Sequence, residues 1–417
     1  MIFAVIFGYL IRLLGMTVVN GQSIPVIQPI VYSLPTPPAL TGPLTPNDVL
    51  TKAERVHVNI IKGPSSFVSH EANLYAGTVD NKIYQVAACP PKLIASLSPP
   101  GCNTVKTCGQ MLSLRRDPTT GLLVALDTYR GLFTVNPLTG QTQQIFSSAT
   151  LINGRRPVHL NDMVISPNGV IFMTDSSDVY TYPNDVYICM DGRPTGRLIA
   201  YEIKSGITTE VLAKTFNFPN GLELTADGDL LVTETCRARI HRVSLKRPTW
   251  LHVSSFAVNL PGLPDNIRSS GRGTYWVAMS YPRYAGIRNP VDFNAGNPDY
   301  RSMGFNWLSR DQLKSYFVQR AIAVEIDSSG IVIGSLHDPT GTTLRMLTEI
   351  HESGGVINVG SHLVPYMARV ILPETSGIKI TVDGYIQVKR SRCELADGQV
   401  TATRERLLKQ QTTSTAA

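Results

Sequence analysis

The chain has 417 residues, of which 43% are hydrophobic and 17% charged, so it holds material for a large core and gives no case for general disorder. Its formal net charge of +7 is mostly scattered, apart from Arg115-Arg116, Arg155-Arg156, Lys246-Arg247 and a cluster at Lys389-Arg390-Ser391-Arg392. A nucleic-acid partner is not expected, because such proteins gather basic charge on one face with aromatics between.

Residues 1–20 are apolar and broken only by Arg12, without a basic stretch ahead of the apolar run. They read as a secretory signal, cleaved or kept as a membrane anchor. That address is the secretory pathway, with the chain secreted or held at the endoplasmic reticulum or cell surface. Residues 21–50 begin with a proline-rich run, expected to be an extended linker outside any core. The stretch NDVLTKAERV carries apolar residues at near-helical spacing and predicts a short helix capped by Asn47.

From residue 51 to 388 the chain repeats one motif, a short apolar strand followed by a turn and a second strand. Six copies are legible: LYAGT at 74, LVALD at 123, IFMTD at 171, LVTET at 231, YWVAMS at 275 and INVGS at 357. Turn signals such as Thr139-Gly140, Asn168-Gly169, Asp227-Gly228 and Ser329-Gly330 separate them. A period of roughly 50 residues, with four short strands per unit, predicts an all-β fold, a six-bladed β-propeller with polar strand ends at a central tunnel. The longer fifth interval holds the insertion SYPRYAGIRNPVDFNAGNPDYRSMGFNWLSRDQLKSYF, read as a lid or a plain solvated excursion. IKITVDGYIQV predicts a further hairpin around Asp383-Gly384, and residues 389–417 a disordered polar tail.

The six cysteines lack the CxxC spacing of a zinc site. In an oxidising compartment Cys102 and Cys108 are close enough to form a disulfide, and the other four read as free and buried.

Four constellations stand just ahead of strands in different repeats: His159-Leu160-Asn161-Asp162, Phe218-Pro219-Asn220-Gly221, Leu263-Pro264-Asp265-Asn266 and His337-Asp338-Pro339. Each alone is ordinary turn chemistry. Repeated in matching places, their side-chain oxygens suit calcium, a hard cation that takes six to eight oxygen ligands. Such an ion polarises a carbonyl or phosphoryl oxygen and activates water. His159 and His337 are candidate bases, His337 reading more readily as a structural corner. Asp127 and Asp175 end equivalent strands and read as blade architecture.

The ordered series GPLTPNDVLTKAERV, YRGLFTVNPLTGQ, HLNDMVISPNGVIFMTDSS, FNFPNGLELTADGDLLVTET, LPGLPDNIR and SLHDPTG resembles the strictosidine-synthase-like family, in particular its animal branch of hemomucins and adipocyte plasma membrane-associated proteins. The resemblance spans residues 43 to 372. It implies a six-bladed propeller related to calcium-dependent lactonases, carried by membrane-anchored or secreted proteins, with arylesterase activity in some. By motif it assigns Asn161, Asn220 and Asp265 as calcium ligands, with Asp265 also as nucleophile or base. Where the family presents Gly-Pro-Glu, this chain has Gly63-Pro64-Ser65, which removes one charged ligand. The glutamate of the plant amine-aldehyde condensing enzymes aligns with Thr348. Strand alternation would turn the adjacent Glu349 to the opposite face.

The expected function is therefore a calcium-assisted ester hydrolase acting on a small ester or lactone, with the membrane met through the N-terminal segment and strictosidine synthase activity itself not expected. The alternative is a non-catalytic surface or secreted binding or adhesion protein with a degenerate metal site, and Ser65 argues for it.

Overall fold

Each of the six repeated strands lies second in a four-stranded antiparallel sheet, and the six sheets stand as blades around an axis. The computed structural model describes residues 16–19, 22–70 and 72–371. Blade one runs from Pro64–His70 to Lys92–Ser96, blade two from Met111–Arg116 to Thr142–Ser147, and blade three from Leu160–Ile165 to Thr208–Phe216. Blade four runs from Pro219–Leu224 to Val253–Ala257 and blade five from Gly262–Ser269 to Val332–Asp338. Second strands such as Leu123–Asp127 and Leu230–Glu234 are buried along their whole length. A blade covered on both faces by its neighbours needs this near-continuous apolar run rather than a half-polar alternation.

Blade six combines Glu349–Ser353, Val356–Gly360 and Met367–Ile371 with an outer strand from the start of the chain, Glu54–Val56. The register is Met367 with Val56, Ala368 with Arg55 and Arg369 with Glu54. Distant parts of the chain thus close the ring. This corrects the expected helix after Asn47. Only a turn forms, with Lys52 N donating to Asp48 O, and the residues beyond it enter the sheet. The Asn47 side chain serves two segments, its Oδ1 accepting from Val49 N at 3.3 Å and from His337 N at 3.0 Å.

The proline-rich stretch is extended, as its composition dictates, but it is not a free linker. Ile24 and Ile27 are buried in a cluster with Tyr180, Tyr187, Phe218 and Phe317. Two excursions join this strap. One leaves blade three and carries the helix Val186–Asp191. The other is the blade-five insertion, with helices Pro290–Asn294, Pro298–Trp307 and Arg310–Ser315.

The Cys102–Cys108 disulfide is present. A second one, Cys189–Cys236, ties the blade-three excursion to blade four. Cys89 is also disulfide-bonded, so the expectation of free cysteines is corrected for every described cysteine. Among the described residues no helix is long and apolar enough to cross a membrane. Most of the apolar N-terminal stretch, the Asp383-Gly384 hairpin and the tail beyond Lys389 lie outside the described residues.

Candidate functional site

The innermost strands of blades one to five share an irregularity. Each carries one extra residue just after its start, as where Leu160 pairs with Asp175 but Met163 with Met173. A bulge of this kind interrupts the alternation of side chains. Consecutive residues can then both turn toward the axis, at two depths.

The upper level is a cavity of about 90 Å³ lined by Asn161, Asn220, Asp265 and Thr348 from four successive blades, with Leu112 from blade two. The same position in blade one is Ser65, which is fully buried, donates its hydroxyl to Gly77 O at 3.2 Å and does not line the cavity. Blades four and five approach closely here. A Cβ on Gly221 would lie 2.6 Å from Ile267 N, so the residue after Asn220 has no room for a side chain.

The lower level closes the tunnel. Arg268 of blade five spans the axis between Asp162 of blade three and Glu349 of blade six, at 2.6 Å from each. Ser113 Oγ and Leu222 N also donate to Asp162, at 2.6 and 2.7 Å, and Asn266 Nδ2 donates to Glu349 at 3.0 Å. Glu349 therefore faces the tunnel, contrary to the expectation from strand alternation. Thr348 lies just before the strand, where regular alternation has not begun. Glu349 is nevertheless below the cavity and held by Arg268, so it does not take the place of a cavity-lining carboxylate.

The upper level has specific chemistry. Asp265 is partly exposed to the cavity. Burial, followed by the negative charges of Glu349 and Asp162, pushes its carboxyl well above the usual range. The Asn220 amide hydrogen-bonds this carboxylate, while Asn220 Oδ1 is buried without a hydrogen-bond partner. Asn161 donates its Nδ2 to Ser176 Oγ at 3.0 Å, which leaves Oδ1 as its available acceptor. His159 is buried against the rings of Tyr182 and Phe218, each at 5.8 Å, and burial lowers its pKa to about 4.

Of the residues expected from sequence, His159, Asn161, Asn220 and Asp265 line one cavity. It excludes His337, which lies on the outermost strand of blade five with Nε2 2.9 Å from Ser335 Oγ. Asp127 and Asp175 hold loops by accepting backbone N–H bonds, including Gln110 N and His159 N, as blade architecture requires.

Sequence reasoning missed Tyr182, Lys314, Phe317 and His362, which also line the cavity. His362 follows the sixth repeated strand directly, so its position in the repeat was available as a signal. The other three come from excursions with no periodic signature. Lys314 pairs with Asp185 at 2.7 Å across the two excursions, so the insertion contributes to the wall of the mouth.

The strictosidine synthase family model matches residues 161–248, and the strictosidine synthase-like N-terminal model matches residues 42–86. The adipocyte plasma membrane-associated protein of Gallus gallus is 38% identical over 369 residues, covering 87% of each chain. Its Homo sapiens counterpart is 34% identical over 353 residues, covering 83% of this chain and 84% of that protein. Among solved structures, a Xanthomonas campestris gluconolactonase superposes with a TM-score of 0.51 at 14% identity, covering 83% of this chain and 98% of that one. A luciferin-regenerating enzyme gives 0.50 at 12% identity, covering 76% and 92%. At these identities the two structures speak for the fold alone. With its propeller, its ordered motifs and relatives matched over most of their length, the chain belongs to the strictosidine-synthase-like family.

Proposed function

We propose that the protein hydrolyses carboxylic esters or lactones in the tunnel-mouth cavity, assisted by a divalent cation such as calcium. The observation that carries this reading is the convergence of Asn161, Asn220 and Asp265 from adjacent inner strands, with Asn220 Oδ1 buried and unpartnered. A buried acceptor without a partner is costly, and a hard cation would satisfy it. Among the described residues no group of three or more His, Cys, Asp and Glu gathers, so the set rests on two amide oxygens and one carboxylate. These fit calcium at reduced ligand charge. Withdrawal of Ser65 predicts weak affinity, in the range of extracellular sites.

A bound cation would supply Lewis acidity at the ester carbonyl. Asp265, the one carboxylate among the cavity-lining oxygens of the set, is the candidate to take the proton from an attacking water. His159, with its pKa near 4, stays neutral at physiological pH and is a weak base. It packs in the apolar wall against Tyr182 and Phe218 rather than carrying charge. The disulfides and the membrane-associated names of the relatives support an extracytoplasmic location.

Ser65 favours a second reading, a binding protein that has kept the fold without turnover. Hydrolysis of phenyl acetate, with calcium and with a chelator, separates the two. Turnover lost on chelation and reduced about 100-fold or more in Asp265→Ala is expected. Folded protein inert under every condition would sink the hydrolase reading.

A further inference from the structure

We infer that the space under the insertion is an acyl- or aryl-binding subsite, which takes the apolar body of an ester or lactone whose carbonyl lies in the tunnel-mouth cavity. The inference rests on the hydrolase reading and adds the substrate class. The second cavity measures about 300 Å³ and has Met190, Val291, Leu308 and Leu313 in its walls. Val186, Cys189 and Phe317 line both cavities, so the two adjoin at these side chains. Phe317 stacks on Tyr281, which lines the mouth, with centroids 4.3 Å apart.

Size decides the assignment. An apolar cavity of about 150 Å³ holds one benzene ring. The mouth, at about 90 Å³, therefore accommodates an ester group and little more. The second cavity, at about 300 Å³, has space for an aryl group or a medium-length acyl chain.

Of its polar side chains, Arg288, Tyr300 and Tyr316 are exposed at the rim, and Asn294 donates its Nδ2 to Pro290 O at 3.1 Å. The Tyr32 hydroxyl donates to Cys189 O at 3.3 Å, and its ring sits beneath Arg237 and Arg301. Arg301 spends its guanidinium on the carbonyls of Met190, Ile30 and Ala295. Exposed Arg288 lies over Phe293 at 3.7 Å. A polyhydroxylated lactone would bury hydroxyls without partners here, whereas an alkyl or aryl group would not.

The test uses the full chain, a series of p-nitrophenyl esters from acetate to dodecanoate, and fluorescence titration with dansyl-undecanoate. Gly304 is the place to fill the cavity, because it lies in the helix Pro298–Trp307 and a Cβ there meets only Met190 at 3.3 Å and Leu313 at 3.5 Å. The wild type should gain about fourfold in kcat/KM per methylene until the cavity is full, with dansyl-undecanoate binding saturably. Gly304→Leu should lower the octanoate-to-acetate ratio of kcat/KM tenfold or more and weaken probe binding to match. Gly304→Ala, with the same helix and little added volume, should keep the wild-type profile, and thermal melts of both variants verify folding. A flat chain-length profile, or no effect of Gly304→Leu on either readout, overturns the subsite. Probe binding that is lost in Gly304→Leu, with no ester turned over by any form, upholds the apolar site and sinks the hydrolase reading instead.

Discussion

Asp265 is a group whose useful state costs stability. Its folded pKa lies above the unfolded value, so folding is penalised progressively as pH rises through the ordinary carboxylate range, and the penalty is fully present once the folded pKa is passed. Asp265→Asn should therefore abolish activity while raising the melting midpoint near neutral pH by about 2 °C or more, and by less in acid. A thermal melt at two pH values checks this. Arg268 is the opposite case, since it stabilises two buried carboxylates from opposite blades. Arg268→Leu should cost about 3–5 kcal/mol by stranding Asp162 and Glu349, measured by urea unfolding. The loss should shrink as acid protonates Glu349, whose pKa burial raises to about 7 even with Arg268 present. The constellations holding Asn161, Asn220 and Asp265 were legible because the same turn-like chemistry recurs before successive repeats, and the family resemblance singled out these three residues within them. The withdrawal of Ser65 was legible only as a departure from a motif. Its hydrogen bond to Gly77 was not.

At the scale of elements, the second strands of all six blades could be read from their apolar runs, since burial on both faces leaves a strong local signal. Glu54–Val56 could not. The apolar residues before it have near-helical spacing, yet pairing with Met367–Ile371 closes the ring and overrides that preference. A chain beginning at residue 57 should lose this strand, expose the edge of blade six and elute as aggregate in size-exclusion chromatography. Elution as a folded monomer would show that ring closure does not depend on it. Glu349 was misassigned for a related reason, because strand alternation applies only within a regular ladder and the tunnel residues stand where the ladder is interrupted or has not begun.

Across the whole molecule, the propeller supplies a floor and three remote segments supply the roof. The strap brings Tyr32, the blade-three excursion brings Tyr182 and Asp185, and the insertion brings Lys314 and Phe317. The Cys189–Cys236 disulfide, the Lys314–Asp185 pair and the Arg301 contacts hold these parts together. Composition showed the strap as extended, but the partners that bury Ile24 and Ile27 lie far along the chain and no local pattern announces them. The proposed hydrolase requires this covered floor to bind a hard cation through Asn161, Asn220 and Asp265. The most direct measurement is calorimetric titration of calcium into the full chain and into Asn220→Ala, at about pH 6 and about pH 8, in buffers of different ionisation enthalpy. Saturable binding that is tighter at the higher pH, releases up to one proton and weakens tenfold or more in Asn220→Ala is the expected result. No saturable binding at millimolar calcium, or binding indifferent to Asn220, would contradict it.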